Sequence, residues 1–251
     1  MIIVCGKGMP GLNSNQMAVN AEKYQEILAE LKGRAQLVAV SKTKPVEDIQ
    51  ALYDLGQRDF GENYVQELVE KREALPADIH WHFIGHLQSN KVKYIASFVH
   101  LVHGVDSLKL LKEIDKQAAK AGRRIDCLLQ VHIAREETKF GFDASELETA
   151  MQEIAGSHEP RASGESIPFR HVRVRGLMGM ASLDQDSAQA AAEFKTLRSL
   201  FDKWFAGPPV PGIGPDATAI LSMGMSGDYQ IAIREGSNMV RVGSLLFGQR
   251  S

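Results

Sequence analysis

The chain of 251 residues carries 29 basic and 31 acidic side chains, a formal net charge of -2, with 44% hydrophobic and 24% charged residues. That composition supports a sizeable core and excludes a disordered chain, a collagen or a disulfide-built mini-scaffold. It lacks the basic excess that draws a protein to nucleic acid or to an anionic membrane surface, and no run approaches the ~20 apolar residues of a membrane span.

Two cysteines, Cys5 and Cys127, make neither a disulfide framework nor a metal set and fit a reducing compartment. The apolar start Met1–Cys5 is too short for a signal peptide. The expectation is a cytoplasmic protein with residues 1–14 as a loose leader and residues 15–250 as one domain.

Asn13 and Ser14 are good helix caps. Behind them Met17, Tyr24, Ile27, Leu28 and Leu31 share a helical face that Gly33 ends. A short apolar run, Leu37–Val40, then reads as a strand, and Pro45 opens a helix that reaches Leu55. The alternation continues. Strands are expected at Asp59–Gly61, His80–Gly85, Phe98–Val105, Ile125–Ile133, Val172–Ala181, Ala219–Met225 and Met239–Phe247, with Asp59–Gly61 and Phe98–Val105 resting on weak signals. Helices fall between them, among them Glu62–Leu75, Ser107–Ala121 and Asp184–Phe205. Eight strands alternating with helices over ~250 residues predict a (β/α)8 barrel with one extra N-terminal helix. An open doubly wound sheet is the rival, weakened by the lack of a G-x-G-x-x-G after the first strand. Ser157–Pro168 and Gly207–Pro215 read as surface insertions. The charges Glu62, Glu67, Glu70, Lys71, Arg72 and Glu73 read as a solvated helix face.

In such a barrel, chemistry collects at the C-terminal ends of the strands. The first strand delivers Ser41, Lys42, Thr43 and Lys44. The second delivers Gly61, Glu62 and Asn63, and the third Gly85 and His86. The seventh ends in Ser226-Gly227 before a helix, and the eighth carries Arg241, Gly243 and Ser244. Backbone amides at such turns bind phosphate, although a tight strand–helix turn needs no ligand. A lysine leaving an apolar strand is partly desolvated, which favours its neutral, nucleophilic amine. Lys42 is preferred to Lys44, expected to be wetter beside Pro45. The first strand of a closed barrel lies ~4.8 Å from the eighth. An aldehyde on Lys42 and a phosphate at the last two strands would then sit about one aromatic ring apart, as in pyridoxal phosphate. Arg241 could reach the ring nitrogen, or it could belong to a buried ion pair.

The segments LVAVSKTKP (Leu37–Pro45), FGENYVQE (Phe60–Glu67), WHFIGHLQSNK (Trp81–Lys91), KFGF (Lys139–Phe142), RGLMGM (Arg175–Met180), SMGMSGD (Ser222–Asp228) and GSNMVRVGSLLFG (Gly236–Gly248) together resemble the pyridoxal phosphate homeostasis proteins. These are single-domain relatives of the alanine racemase barrel (fold type III). The resemblance implies an imine on Lys42, phosphate held at Ser226, Gly227, Gly243 and Ser244, Arg241 at the pyridine nitrogen and Asn63 near the cofactor. His86 stands where proline is usual, and Gly227 where an acidic residue often follows GMS.

The resemblance further implies a role in vitamin B6 homeostasis. An arginine at the pyridine nitrogen weakens the electron sink. Racemase relatives draw a second base, a tyrosine, from an extra domain after the barrel, and here Gly248 is followed by three residues. The expectation is therefore a carrier with no catalytic residues and no metal, a monomer that hands pyridoxal phosphate to apo-enzymes and contacts neither nucleic acid nor membrane. The alternatives are an amino-acid racemase, a phosphate-ester barrel enzyme, and a metal-dependent hydrolase built on His80, His82 and His86.

Overall fold

The computed structural model describes residues 19–135, 140–156, 169–182, 186–207, 213 and 219–248. Eight parallel strands close on themselves in sequence order. They are Gln36–Val40 (β1), Asp59–Glu62 (β2), His80–Phe83 (β3), Leu101–Val105 (β4), Ile125–Val131 (β5), Val172–Gly179 (β6), Ile220–Ser222 (β7) and Met239–Val242 (β8). The helices that link them are Val46–Asp54 (α2), Val65–Ala74 (α3), Val92–Ile95 (α4), Leu108–Lys120 (α5), Ala144–Gly156 (α6), Ser187–Phe205 (α7) and Tyr229–Arg234 (α8). Ala21–Leu31 (α1) precedes the barrel and Ser244–Phe247 (α9) follows it. This is the (β/α)8 barrel expected from the alternation, with both weakly signalled strands, β2 and β4, in place.

Two apolar clusters reflect the period-two alternation of the strands. Ala39, Phe60, Trp81, Phe83 and Val102 belong to the large cluster between strands and helices. Val38, Leu101, Leu128, Met178 and Met239 form a smaller cluster inside the barrel. The ladder that closes the circle pairs Val38 with Arg241 and Ala39 with Val242. Val38, Val40 and Lys42 therefore share the inward parity, while Ala39 and Ser41 face the helices.

Several boundaries move. α1 is capped by Asn20, whose side chain accepts from Lys23 N–H. The expected caps Asn13 and Ser14, with Met17, lie outside the described residues. Tyr24, Ile27 and Leu31 are buried but Leu28 is exposed. Pro45 is the N-cap of α2 rather than its first residue. The last strand stops at Val242, not Phe247. Past that point β8 has no ladder partner, because β1 ends at Val40. The chain turns helical instead, with the amides of Leu246 and Phe247 donating to the Gly243 carbonyl.

The expected solvated charge face is wrong at two of its six residues, since Glu62 and Lys71 are buried at 0% and 5% exposure. Cys127 is a buried thiol. Cys5, Glu136, Glu137, Lys139, residues 157–168 and most of 207–215 lie outside the described residues. Among the described residues no helix is long and apolar enough to cross a membrane.

Candidate functional site

The C-terminal mouth of the barrel holds a cavity of about 520 Å³. All seven residues singled out from the sequence line it: Lys42, Asn63, Ser226, Gly227, Arg241, Gly243 and Ser244. Val40, Ile84, Met180 and Met225 add apolar wall. The lining described includes no carboxylate, imidazole or phenol.

Lys42 is held from both sides. Before it, Ser41 N–H donates to the Gly61 carbonyl and the Ser41 hydroxyl donates to Glu62 Oε1 at 2.6 Å. After it, Thr43 takes φ 64°, an uncommon region for a β-branched residue, and its N–H donates to Glu67 Oε1. Lys71 ties these together by donating to the Ser41 carbonyl, Glu62 Oε1 and Glu67 Oε1. Only one oxygen of Glu62 is served in this way, and Oε2 is buried with no partner. Burial accordingly pushes the Glu62 carboxyl up to about 7 against the pull of Lys71. Glu62 was expected at the barrel mouth beside Asn63. It points instead into the layer beneath α3.

Lys44 also lines the cavity and is half-buried rather than wet. Its amine donates to the Phe247 carbonyl at 2.7 Å, a favourable place for a cation at a helix C-terminus. That bond assigns Lys44 to the attachment of α9. Asn63 is half-buried on the cavity wall, and its Oδ1 is buried with no hydrogen-bond partner. An unserved buried amide oxygen costs about 1–3 kcal/mol unless a ligand or water meets it.

Ser226 and Gly227 occupy the turn before α8, fixed by Asp228, whose carboxylate accepts from Met225 N–H at 2.6 Å. Gly243 N–H donates to Ser226 Oγ at 3.2 Å, which joins the two turns. A Cβ on Gly243 would meet the Val40 carbonyl and Cβ at 3.2 Å, so glycine lets β8 stay close to β1 where Lys42 emerges. The amides of Ser244 and Leu245, in the first turn of α9, have no acceptor within that helix.

Arg241 lies in the cavity floor at 4% exposure. Its NH1 group donates to the Ser222 carbonyl at 2.9 Å and to Ser222 Oγ at 2.6 Å, and NH2 donates to the Gly179 carbonyl at 3.0 Å. Three of its five N–H donors are thus accounted for, and no carboxylate pairs with it among the described residues. The expected alternative of a buried ion pair is not what holds it. Burial lowers its pKa to about 10, against the pull of Asp228, so it stays charged at neutral pH.

Ser222 begins a chain of contacts that sequence reasoning missed. Its hydroxyl lies 3.2 Å from His103 Nδ1, His103 Nε2 lies 2.9 Å from His82 Nδ1, and His82 Nε2 lies 3.0 Å from Asp59 Oδ1. Burial keeps His103 neutral, its pKa far below the usual value. Arg241 can only donate. Neutral rings and every contact are then satisfied when Ser222 donates to His103, His103 to His82, and His82 to Asp59. The chain crosses the barrel interior from the cavity to its opposite end. Burial is the largest single influence and opposes the Asp59 charge, but His82, Gln36 and His80 together outweigh it and hold the carboxyl at about 2.

The histidine set considered for a hydrolase does not assemble. His82 is enclosed in the barrel, His80 lies at its N-terminal end, and His86 lies at the other end. There His86 is 3.0 Å from Asp106 Oδ2 and stacked on Phe140.

The family model of the alanine racemase N-terminal domain matches residues 12–251. A pyridoxal phosphate homeostasis protein of Aquifex aeolicus is 38% identical over 217 residues, covering 86% of this chain and 87% of its own. Another, from Synechocystis, is 35% identical over 239 residues, covering 90% and 97%. Among solved structures, PipY of Synechococcus elongatus with pyridoxal phosphate bound superposes with a TM-score of 0.77 at 33% identity, covering 91% of this chain and 99% of PipY. Alanine racemase from Bartonella henselae gives 0.63 at 16% identity, covering 89% and 56%, a likeness of fold.

Proposed function

Because the chain belongs to the pyridoxal phosphate homeostasis protein family, built on the alanine racemase N-terminal domain, we propose that it binds pyridoxal phosphate through Lys42 and serves as a holder of that cofactor. The observation that carries this reading is the shared cavity. The Lys42 amine, one buried guanidinium, one unserved amide oxygen and two joined glycine–serine turns face the same 520 Å³. That set matches an aldehyde, a ring nitrogen, a ring hydroxyl and a phosphate.

Lys42 Nζ is the amine that would hold pyridoxal phosphate through its aldehyde carbon. The commitment of Lys44 to Phe247 supports Lys42 for this role. Ser226, Gly227, Gly243 and Ser244 hold the phosphate by hydroxyl and backbone donors. Arg241, with N–H donors to spare, would serve the pyridine nitrogen. Asn63 would serve the ring hydroxyl with its amide.

When bound, pyridoxal phosphate supplies an electron sink. A charged arginine keeps the ring nitrogen unprotonated and weakens that sink. The described lining offers no second base opposite Lys42 to remove a proton from the other face of a substrate. Both features support holding and release to recipient apo-enzymes over racemisation.

The test is an absorbance spectrum of the purified protein with pyridoxal phosphate, before and after borohydride, followed by peptide mass mapping. The expected result is a yellow protein with a reduced pyridoxyl group on Lys42 and no colour in Lys42→Ala. An adduct on Lys44 would overturn the assignment. Turnover of L-alanine or L-serine to the D-form, lost in Lys42→Ala, would make it a racemase.

A further inference from the structure

The end of the barrel remote from the cavity carries its own set of ligating groups. Asp59 is the first residue of β2, His80 the first of β3, and His100 immediately precedes β4. Three neighbouring strands therefore bring a carboxylate and two imidazoles to one rim. One ligand atom from each lies within 4.8 Å of the other two.

The fine geometry suits a small cation. His80 Nδ1 is 3.2 Å from Asp59 Oδ1. Bonds of ~2.1 Å to a tetrahedral zinc ion put neighbouring ligand atoms ~3.4 Å apart, so this pair already stands at the required spacing. The rings of His80 and His100 stack with centroids 4.5 Å apart and planes 20° apart. Both rings are exposed, and the three ligand atoms lie within 4.8 Å of one another.

A second observation comes from below the rim. His82, fully enclosed, presents Nε2 to Asp59 Oδ1 at 3.0 Å. A buried imidazole that fixes a ligating carboxylate is the usual support around a metal centre. The donor set, two nitrogens and one oxygen, selects borderline transition ions over Mg2+ or Ca2+.

We propose that Asp59, His80 and His100 form a site for a divalent transition ion of the Zn2+ class, with water in the fourth position, that pins the starts of β2, β3 and β4. The ladder it would reinforce is short. β3 and β4 are paired only at His82–Leu101 and Phe83–Val102, and an ion held by His80 and His100 extends that link to the strand starts.

The test uses the full chain stripped with chelator, with and without pyridoxal phosphate. Zn2+ is titrated by calorimetry, Co2+ by its visible absorption, and thermal unfolding is followed in both. The expected result is one ion per chain in either cofactor state. Co2+ should give tetrahedral bands, and Tm should rise by about 5 °C at Zn2+ one hundredfold above Kd. His80→Ala and His100→Ala should each weaken binding at least tenfold and cut the Tm rise at that Zn2+ concentration to half or less, while His86→Ala, at the other end, should bind like the parent. No saturable binding, binding unchanged in both rim variants, or binding lost in His86→Ala overturns the proposal. Because the rim site needs no pyridoxal phosphate, none of these results bears on Lys42.

Discussion

At the scale of single residues, the least expected feature is the charged network beneath Lys42. Glu62, Lys71, Glu67 and Ser41 meet where α3 packs on β1 and β2, and they fix the backbone on both sides of Lys42. Glu62 protonates near 7 in the folded protein, whereas a solvated glutamate protonates near 4.5. The folded state therefore holds a proton that the unfolded state has released between those two values. Stability falls as pH rises through that window, by up to roughly 3 kcal/mol. In Glu62→Gln this loss should vanish. Urea midpoints at pH 5, 6 and 7 for parent and variant measure it, and parallel pH dependences would remove Glu62 as the cause. Lys71→Met, by contrast, takes the donor from the Ser41 carbonyl and from Glu67, while Glu62, already about half neutral at pH 7, takes up its proton. The cost at pH 7 should be about 1–3 kcal/mol, and adding Glu62→Gln should change it little. The sequence hid this network because a buried Glu–Lys pair and a solvated one carry the same letters. The difference lies in which face of α3 meets the sheet.

At the scale of elements, the alternation of short apolar runs with amphipathic segments was enough to order all eight strands, because each strand packs against a helix that must show its own apolar stripe. The ends were less legible. Asn13 and Ser14, outside the described residues, satisfy the cap pattern as well as Asn20 does, and Asn20, which caps α1, is also tied to α9. The Asn20 amide donates to the Leu246 carbonyl at 2.8 Å. Near the other end of α1, Glu30 accepts from the Tyr229 hydroxyl and from Gln230. The extra helix thus braces both α8 and α9, the elements whose first turns form the proposed phosphate pocket. Asn20→Ala removes the side-chain acceptor for Lys23 N–H and should cost about 1 kcal/mol, seen as a Tm lower by roughly 2–4 °C. If α1 is a brace, pyridoxal phosphate affinity should fall together with Tm in this variant. An unchanged affinity would make α1 a cover for the core with no hold on the pocket.

At the scale of the whole molecule, the barrel interior is not the apolar stack usual for this architecture. His82, His103 and Ser222 run through it and end on Arg241. Strand parity predicts that His82 and His103 face inward only once the strand boundaries are known. Which residues then meet across the lumen depends on the stagger of the closed sheet, which no local pattern encodes. The cavity residues were legible for the opposite reason, since most of the seven stand at strand ends next to a glycine or serine that marks the turn, and Arg241 lies two residues before Gly243. The interior chain gives Arg241 its orientation, because Ser222 accepts from NH1 through both its carbonyl and its hydroxyl. His103→Leu should remove the acceptor for the Ser222 hydroxyl and the donor to His82, at about 1–3 kcal/mol for each group left unserved. If the chain only supports the fold, that loss appears in urea unfolding and pyridoxal phosphate binding is unchanged. If it aims Arg241, affinity measured by absorbance titration on the folded variant should fall about tenfold. His103→Gln, whose amide can both donate and accept, should restore part of it. The second pair of outcomes is expected, because the guanidinium has no carboxylate partner among the described residues and its NH1 contacts are both to Ser222.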